Sequence, residues 1–175
     1  MKTAALFLAA SSLAAAVLAA PARLQTRADQ VTYDDYTEND GSGTEDLQYA
    51  PYNDPDHKWV HLKNQGNTYY NGTESFIQYG GASYSFAYFD GPSMKIYASK
   101  KKDRGFFDIF YAGDHVGVGD AWGTCEGDYC PSEVVFSTDK LPTSTGDVTV
   151  IVKARESDYR VEGVPFFAID KVVLN

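Results

Sequence analysis

Cysteine, methionine, tryptophan and histidine are scarce in this 175-residue chain, which holds two, two, two and three of them. Cys125 and Cys130 have no second cysteine pair or histidine pair nearby, so no zinc site of four ligands is read there, and no metal site is assigned. His57 and His61 are four residues apart, a clamp spacing on a helix, but the alternation of Trp59, His61 and Lys63 with Val60 and Leu62 reads as a strand. On a strand the two lie about 13 Å apart, which removes them as a metal pair. The serine elbow G-x-S-x-G is missing too. The nearest match, Gly81-Ala82-Ser83-Tyr84-Ser85, ends in serine inside a strand pattern. A hydrolytic triad assembled in space around His57, His61 or His115, or a carboxylate pair drawn from Asp120, Glu126 and Asp128, is the weakest reading, because a chain with 24 acids offers many such combinations.

Long apolar runs are confined to the start. Residues 1–19 carry Lys2, an apolar middle from Leu6 to Val17 and small residues ahead of Pro21, the pattern of a secretory signal peptide. No later run approaches the roughly 20 residues that a bilayer requires. Residues 20–30 are expected to be a flexible terminus or short propeptide, and residues 31–175 a single domain. The expected location is extracellular, with association to a cell wall as one possibility. Basic residues are also few, 15 against 24 acidic ones for a formal charge of −9. That balance argues against nucleic acid as a partner.

Between Ala28 and His57 there are nine carboxylates and no Lys or Arg, interrupted by Gly41-Ser42-Gly43, Pro51 and Pro55. Solvated, extended chain is the expectation, with Val31–Tyr33 and Leu47–Tyr49 pinned as edge strands. A calcium loop of the EF-hand type fails: with Gly41 as the loop glycine, Tyr36 takes the first ligand position and Leu47 the twelfth. No cofactor is assigned, and a structural calcium held by another arrangement is the alternative left open.

What the chain has in quantity is period-two alternation. Tyr84, Phe86 and Tyr88, then Met94, Ile96 and Ala98, then Phe107, Ile109 and Tyr111 alternate with small or polar neighbours. Turn chemistry at Asp90-Gly91-Pro92 and Asp103-Arg104-Gly105 separates them, and an antiparallel meander is expected. Val148, Val150 and Val152 should face the core, and Phe166–Leu174 should close a sheet near the start of the domain. The architecture is all-β, a single antiparallel β-sandwich of about eight strands. Cys125 and Cys130 should be oxidised together in a secreted chain, stapling a loop for about 2 kcal/mol. Asn71-Gly72-Thr73 is the one N-glycosylation sequon, and it requires exposure.

The run GASYSFAYFDG, MKIYASK, DRGFFDIFYAGDHVG, LPTSTGDVTVIVKA and FFAIDKVVL, with TYDDY, LQYA and the Trp59 strand upstream, resembles the galactose-binding-domain-like jelly roll of fungal secreted proteins. The resemblance covers roughly Val31 to Leu174. It implies a carbohydrate-binding-module-like fold and carries over no catalytic residue.

Aromatic faces flanked by polar groups suit sugars. The candidate ligand residues are Trp59, Tyr69, Tyr70, Trp122 and Tyr129, with Asp120, Asp128 and Arg104 as polar companions. Trp122 and Tyr129 rank first because the disulfide would preorganise their loop, whereas Trp59, mid-strand, is also a core candidate. Lys100-Lys101-Lys102-Asp103-Arg104 is read as a solvated hairpin tip, with an anionic polysaccharide as its alternative partner. The function expected is a secreted, non-catalytic carbohydrate-binding protein recognising cell-wall or host glycans. A fungal effector or colonisation factor binding a host or wall protein is the second reading, and a small glycan-active hydrolase the third.

Overall fold

A computed structural model describes residues 30–35, 47–52, 54–88, 93–123, 129–141 and 148–175. The signal segment, the 20–29 stretch, Cys125 and Asp128 lie outside the described residues, as does the side chain of Tyr129.

Twelve strands are present among the described residues, three of them only three residues long. They are β1 (Val31–Asp34), β2 (Gln48–Ala50), β3 (Val60–Leu62), β4 (Glu74–Ile77), β5 (Ser83–Tyr88) and β6 (Met94–Lys101), then β7 (Phe106–Tyr111), β8 (Asp114–Asp120), β9 (Tyr129–Thr138), β10 (Val148–Ala154), β11 (Phe167–Ile169) and β12 (Lys171–Leu174). They form a four-stranded sheet in the order β1-β12-β6-β9, a five-stranded sheet β2-β5-β10-β7-β8 and a three-stranded sheet β11-β4-β3. Every strand pairing in these sheets is antiparallel. The result is the antiparallel β-sandwich that the alternation implies.

Buried faces follow the period-two pattern. Tyr84, Phe86, Met94, Ile96, Ala98, Phe107, Ile109, Tyr111, Val150 and Val152 all enter one core, with Val148 packed at its margin. β12 pairs with β1, so the end of the domain closes the sheet at its start. The terminal run is broken at Asp170, and its first half, β11, belongs to a different sheet.

The meander is corrected. β5 pairs with β2 and β10, β6 with β12 and β9, and β7 with β10 and β8, so none of the three bonds to another. From β5 to β6 to β7 the chain crosses from one sheet to another and back. Period two fixes which side chains are buried, and a strand whose apolar face is covered from the opposite sheet satisfies it as well as one in a meander. The faces meet through rings: Tyr33 of β1 lies 5.5 Å from Phe86 of β5, and Phe167 of β11 lies 5.4 Å from Tyr84 and 5.7 Å from Phe107.

Glycine sets the spacing at β8. A Cβ on Gly119 would stand 2.0 Å from Cζ of Phe107, so the ring occupies the space a side chain would take. Gly119→Ala is expected to overpack this contact and destabilise the domain by about 1–3 kcal/mol. Urea denaturation would measure it, and an unchanged midpoint would show that Phe107 can move aside.

Candidate functional site

The segment from Tyr49 to His61 carries Pro51, Tyr52, Asp54, Pro55, His57, Lys58 and Trp59, and it folds around a groove of about 490 Å³ lined by all of these residues. Local chemistry shapes its wall. Asp54 Oδ1 accepts the backbone N–H groups of Asp56 at 2.8 Å and His57 at 3.1 Å, while its Oδ2 lies 3.2 Å from Nδ1 of His57. This is an Asx-type turn, with Pro55 fixing φ inside it. The backbone bond from Asp56, then the contacts with His57, hold the Asp54 carboxyl below its usual range. The His57 ring rests 4.0 Å from that of Tyr79.

Trp59 precedes β3 and forms the groove floor. Its indole Nε1 donates to the carbonyl of Ala50 at 3.2 Å, and its ring lies 4.6 Å from Tyr49 and 5.6 Å from Phe167. The ring is therefore fixed on two sides. Tyr52 stands out instead, with 61% of its surface exposed.

Behind the groove is a polar node. Asp35, just after β1, is fully buried. Its Oδ1 lies 2.5 Å from Thr73 Oγ1 and its Oδ2 2.7 Å from Ser75 Oγ. Its N–H donates to the carbonyl of Asp170, and its carbonyl accepts the hydroxyl of Tyr49. Ser75 Oγ in turn lies 2.5 Å from Nδ1 of the groove residue His61. Burial pushes the Asp35 carboxyl from 3.8 up to about 8, outweighing its hydroxyl partners, with the neighbouring Asp34 adding to the rise. Asp170 rises to about 6 for the same reason, although Ser132 and the N–H of Tyr70 oppose it. Burial, then Lys63, lowers His61.

Serine, histidine and acid thus meet, but in an order unlike the acyl-transfer constellation. The buried Ser75 hydroxyl sits between the imidazole and the carboxyl, whereas a nucleophile would need the imidazole in the middle and its own oxygen exposed.

The residues expected from sequence separate into several places. Trp59 lines the groove. Tyr69 is buried, with its hydroxyl 3.2 Å from Glu74. Tyr70 is exposed beside Lys171, whose Nζ lies 4.8 Å from the ring centre. Arg104 is in the interior, 6% exposed, 3.8 Å from Glu74 Oε1 and stacked near Phe76 and Phe166. Its guanidinium is committed to a buried ion pair, so it is no surface companion for a ligand. Asn71 is exposed, as a sequon requires, and its side-chain N–H donates to Asp34 at 2.6 Å.

Asp120 and Trp122 do come together, around Arg160, which the sequence reading missed. The guanidinium lies 3.8 Å from the Phe106 ring centre and 5.0 Å from that of Trp122. It donates to both oxygens of Asp120 and both of Asp158. The cluster is a clasp that fastens the segment after β10 to β7 and β8. Among the described residues no group of three or more His, Cys, Asp or Glu is arranged to hold a metal ion.

No family model matches the chain, and no curated protein matches it. Solved structures do match. A xanthan lyase from Paenibacillus aligns at a TM-score of 0.51 and 16% identity over 74% of this chain, which spans only 12% of that enzyme. The CBM36-1 domain of a multidomain xylanase, from the hindgut metagenome of Trinervitermes trinervoides, aligns at 0.52 and 10% identity, covering 84% of this chain and 97% of that domain. The Agl-KA catalytic domain aligns at 0.52 and 11% identity, over 83% of this chain and 27% of that one. At such identities the likeness is one of fold. The chain is a β-sandwich of the kind found in carbohydrate-binding modules.

The raised carboxyls make stability depend on pH. An acid whose value is higher folded than unfolded binds more protons in the fold, so its contribution is complete below about pH 4 and is lost as pH rises toward the folded value. For Asp35 the window runs from near 4 to about 8, and for Asp170 from near 4 to about 6. Unfolding free energy should therefore fall with pH across that range, by about 1 kcal/mol per pH unit for each such proton. Asp35→Asn should flatten the slope above pH 6. A slope that Asp35→Asn leaves unchanged would show that the carboxylate is ionised in the fold, as beside a bound cation.

Proposed function

We propose that this chain is a secreted, non-catalytic glycan-binding domain that takes a polysaccharide in the groove between Tyr52 and Trp59. The groove itself carries the proposal. Its floor is an indole already fixed by Ala50, Tyr49 and Phe167, and its rim is an exposed phenol. Rings of this kind offer flat apolar faces to the C–H faces of a sugar, and immobilising them beforehand reduces the entropy lost on binding. Pro51, Pro55 and the Asp54 turn fix the wall in the same way. The sandwich, shared with a carbohydrate-binding module, and the signal-like residues 1–19 support the same reading. So does the resemblance to fungal secreted galactose-binding-like domains.

A screen of the purified protein against glycans and insoluble wall polysaccharides tests the proposal, with product release followed in the same wells. Binding without release is expected. Tyr52→Ala, at an exposed position, and Trp59→Ala, with its fold checked by circular dichroism, should each weaken binding by about tenfold or more, equivalent to about 1.4 kcal/mol. Release of sugar, or binding that neither substitution changes, would contradict the proposal.

A further inference from the structure

Chains that grip neutral sugars need hydrogen-bond acceptors as well as donors, because each sugar hydroxyl has a proton to give. Most side-chain acceptors among the described lining residues are already engaged, the exposed Tyr52 hydroxyl being an exception. The groove's one carboxylate, Asp54, has Oδ1 engaged by two backbone N–H groups and Oδ2 set against His57. The hydroxyl of Tyr49 and the indole N–H of Trp59 both turn inward, to the carbonyls of Asp35 and Ala50. Lys58, by contrast, is exposed on the groove wall, and its ammonium forms no ion pair among the described residues. Two of the chain's three histidines line the same groove. With histidine counted as neutral, Lys58 against Asp54 leaves the lining formally neutral, on a chain of charge −9.

Resting on the glycan-binding reading, we infer that the groove selects acidic polysaccharide: chains bearing uronate carboxylates, whose charge is met by Lys58 while a sugar face lies on Trp59. A carboxylate is an acceptor with no proton to place, and a bond to it from an ammonium is stronger than one between neutral groups. Lys58 is the exposed charged donor in this lining. The run Lys100–Lys102 is a poorer receptor, since Lys101 Nζ is already 3.0 Å from Asp103 Oδ2.

Affinity for polygalacturonate and for its carboxyl-reduced counterpart, measured by calorimetry with the full protein, isolates the charge from the rest of the sugar. The charged polymer should bind at least about tenfold more tightly, the scale of one charge-assisted contact. Lys58→Met should bring the affinities for the two polymers to within about threefold of each other. Added salt should erode the preference. Lys101→Met should leave it intact. Equal affinity for the two polymers would overturn the inference, and if Tyr52→Ala still weakened both, the glycan-binding reading would stand. Loss of the preference in Lys101→Met instead of Lys58→Met would also overturn it. Failure to bind any glycan would remove the inference together with the reading beneath it.

Discussion

The three sheets of this sandwich meet at the buried Asp35. From the end of β1 its N–H reaches the carbonyl of Asp170 between β11 and β12, its carboxyl meets Thr73 and Ser75 at β4, and its carbonyl takes the Tyr49 hydroxyl from β2. An ionised carboxylate sealed in such a place would be costly, whereas a protonated one can share its hydrogen with the hydroxyls around it. Burial thus favours the neutral form at this junction, against the pull of the hydroxyls. The two aromatic partners that reach it, Tyr49 directly and His61 through Ser75, are also walls of the groove.

This coupling explains how a loop rich in proline and aspartate becomes a shaped surface. Trp59 lies on Tyr49, whose hydroxyl is anchored at Asp35, so the groove floor inherits its position from the core. Asp54 and the prolines fix the rim locally. The opposite design is seen at Trp122, where Arg160 lies between rings and carboxylates. There the polar groups are bonded to one another and the arrangement fastens a loop. Two aromatic-acidic clusters with similar composition therefore differ in what they leave for a partner.

Much of the fold was legible because burial imposes alternation. The buried valines of β10, the core faces of β5, β6 and β7 and the pairing of β12 with β1 all follow from period two and the order of the segments. The pairing of β5, β6 and β7 was not legible, since the same alternation serves a meander or a sandwich. Charge misled in both directions. Asp35 lies in a stretch that reads as solvated acid, and Arg104 ends a run that reads as a solvated basic tip, yet both are interior. Their partners, Ser75 and Glu74, are 40 and 30 residues away in sequence, and no local window contains them. The groove had a signal that was passed over. Tyr49, Pro51, Tyr52, Pro55 and Trp59 concentrate rings and prolines within a dozen residues, around an Asp-Pro that favours a turn.

The chain's two tryptophans make one experiment decisive. Titrating an oligogalacturonide into ¹⁵N-labelled protein reports Trp59 and Trp122 as separate indole N–H signals. The groove account predicts that the Trp59 signal shifts progressively with ligand while that of Trp122 stays in place. A shift at Trp122 with Trp59 unmoved would contradict it and return the site to the loop beside Asp120.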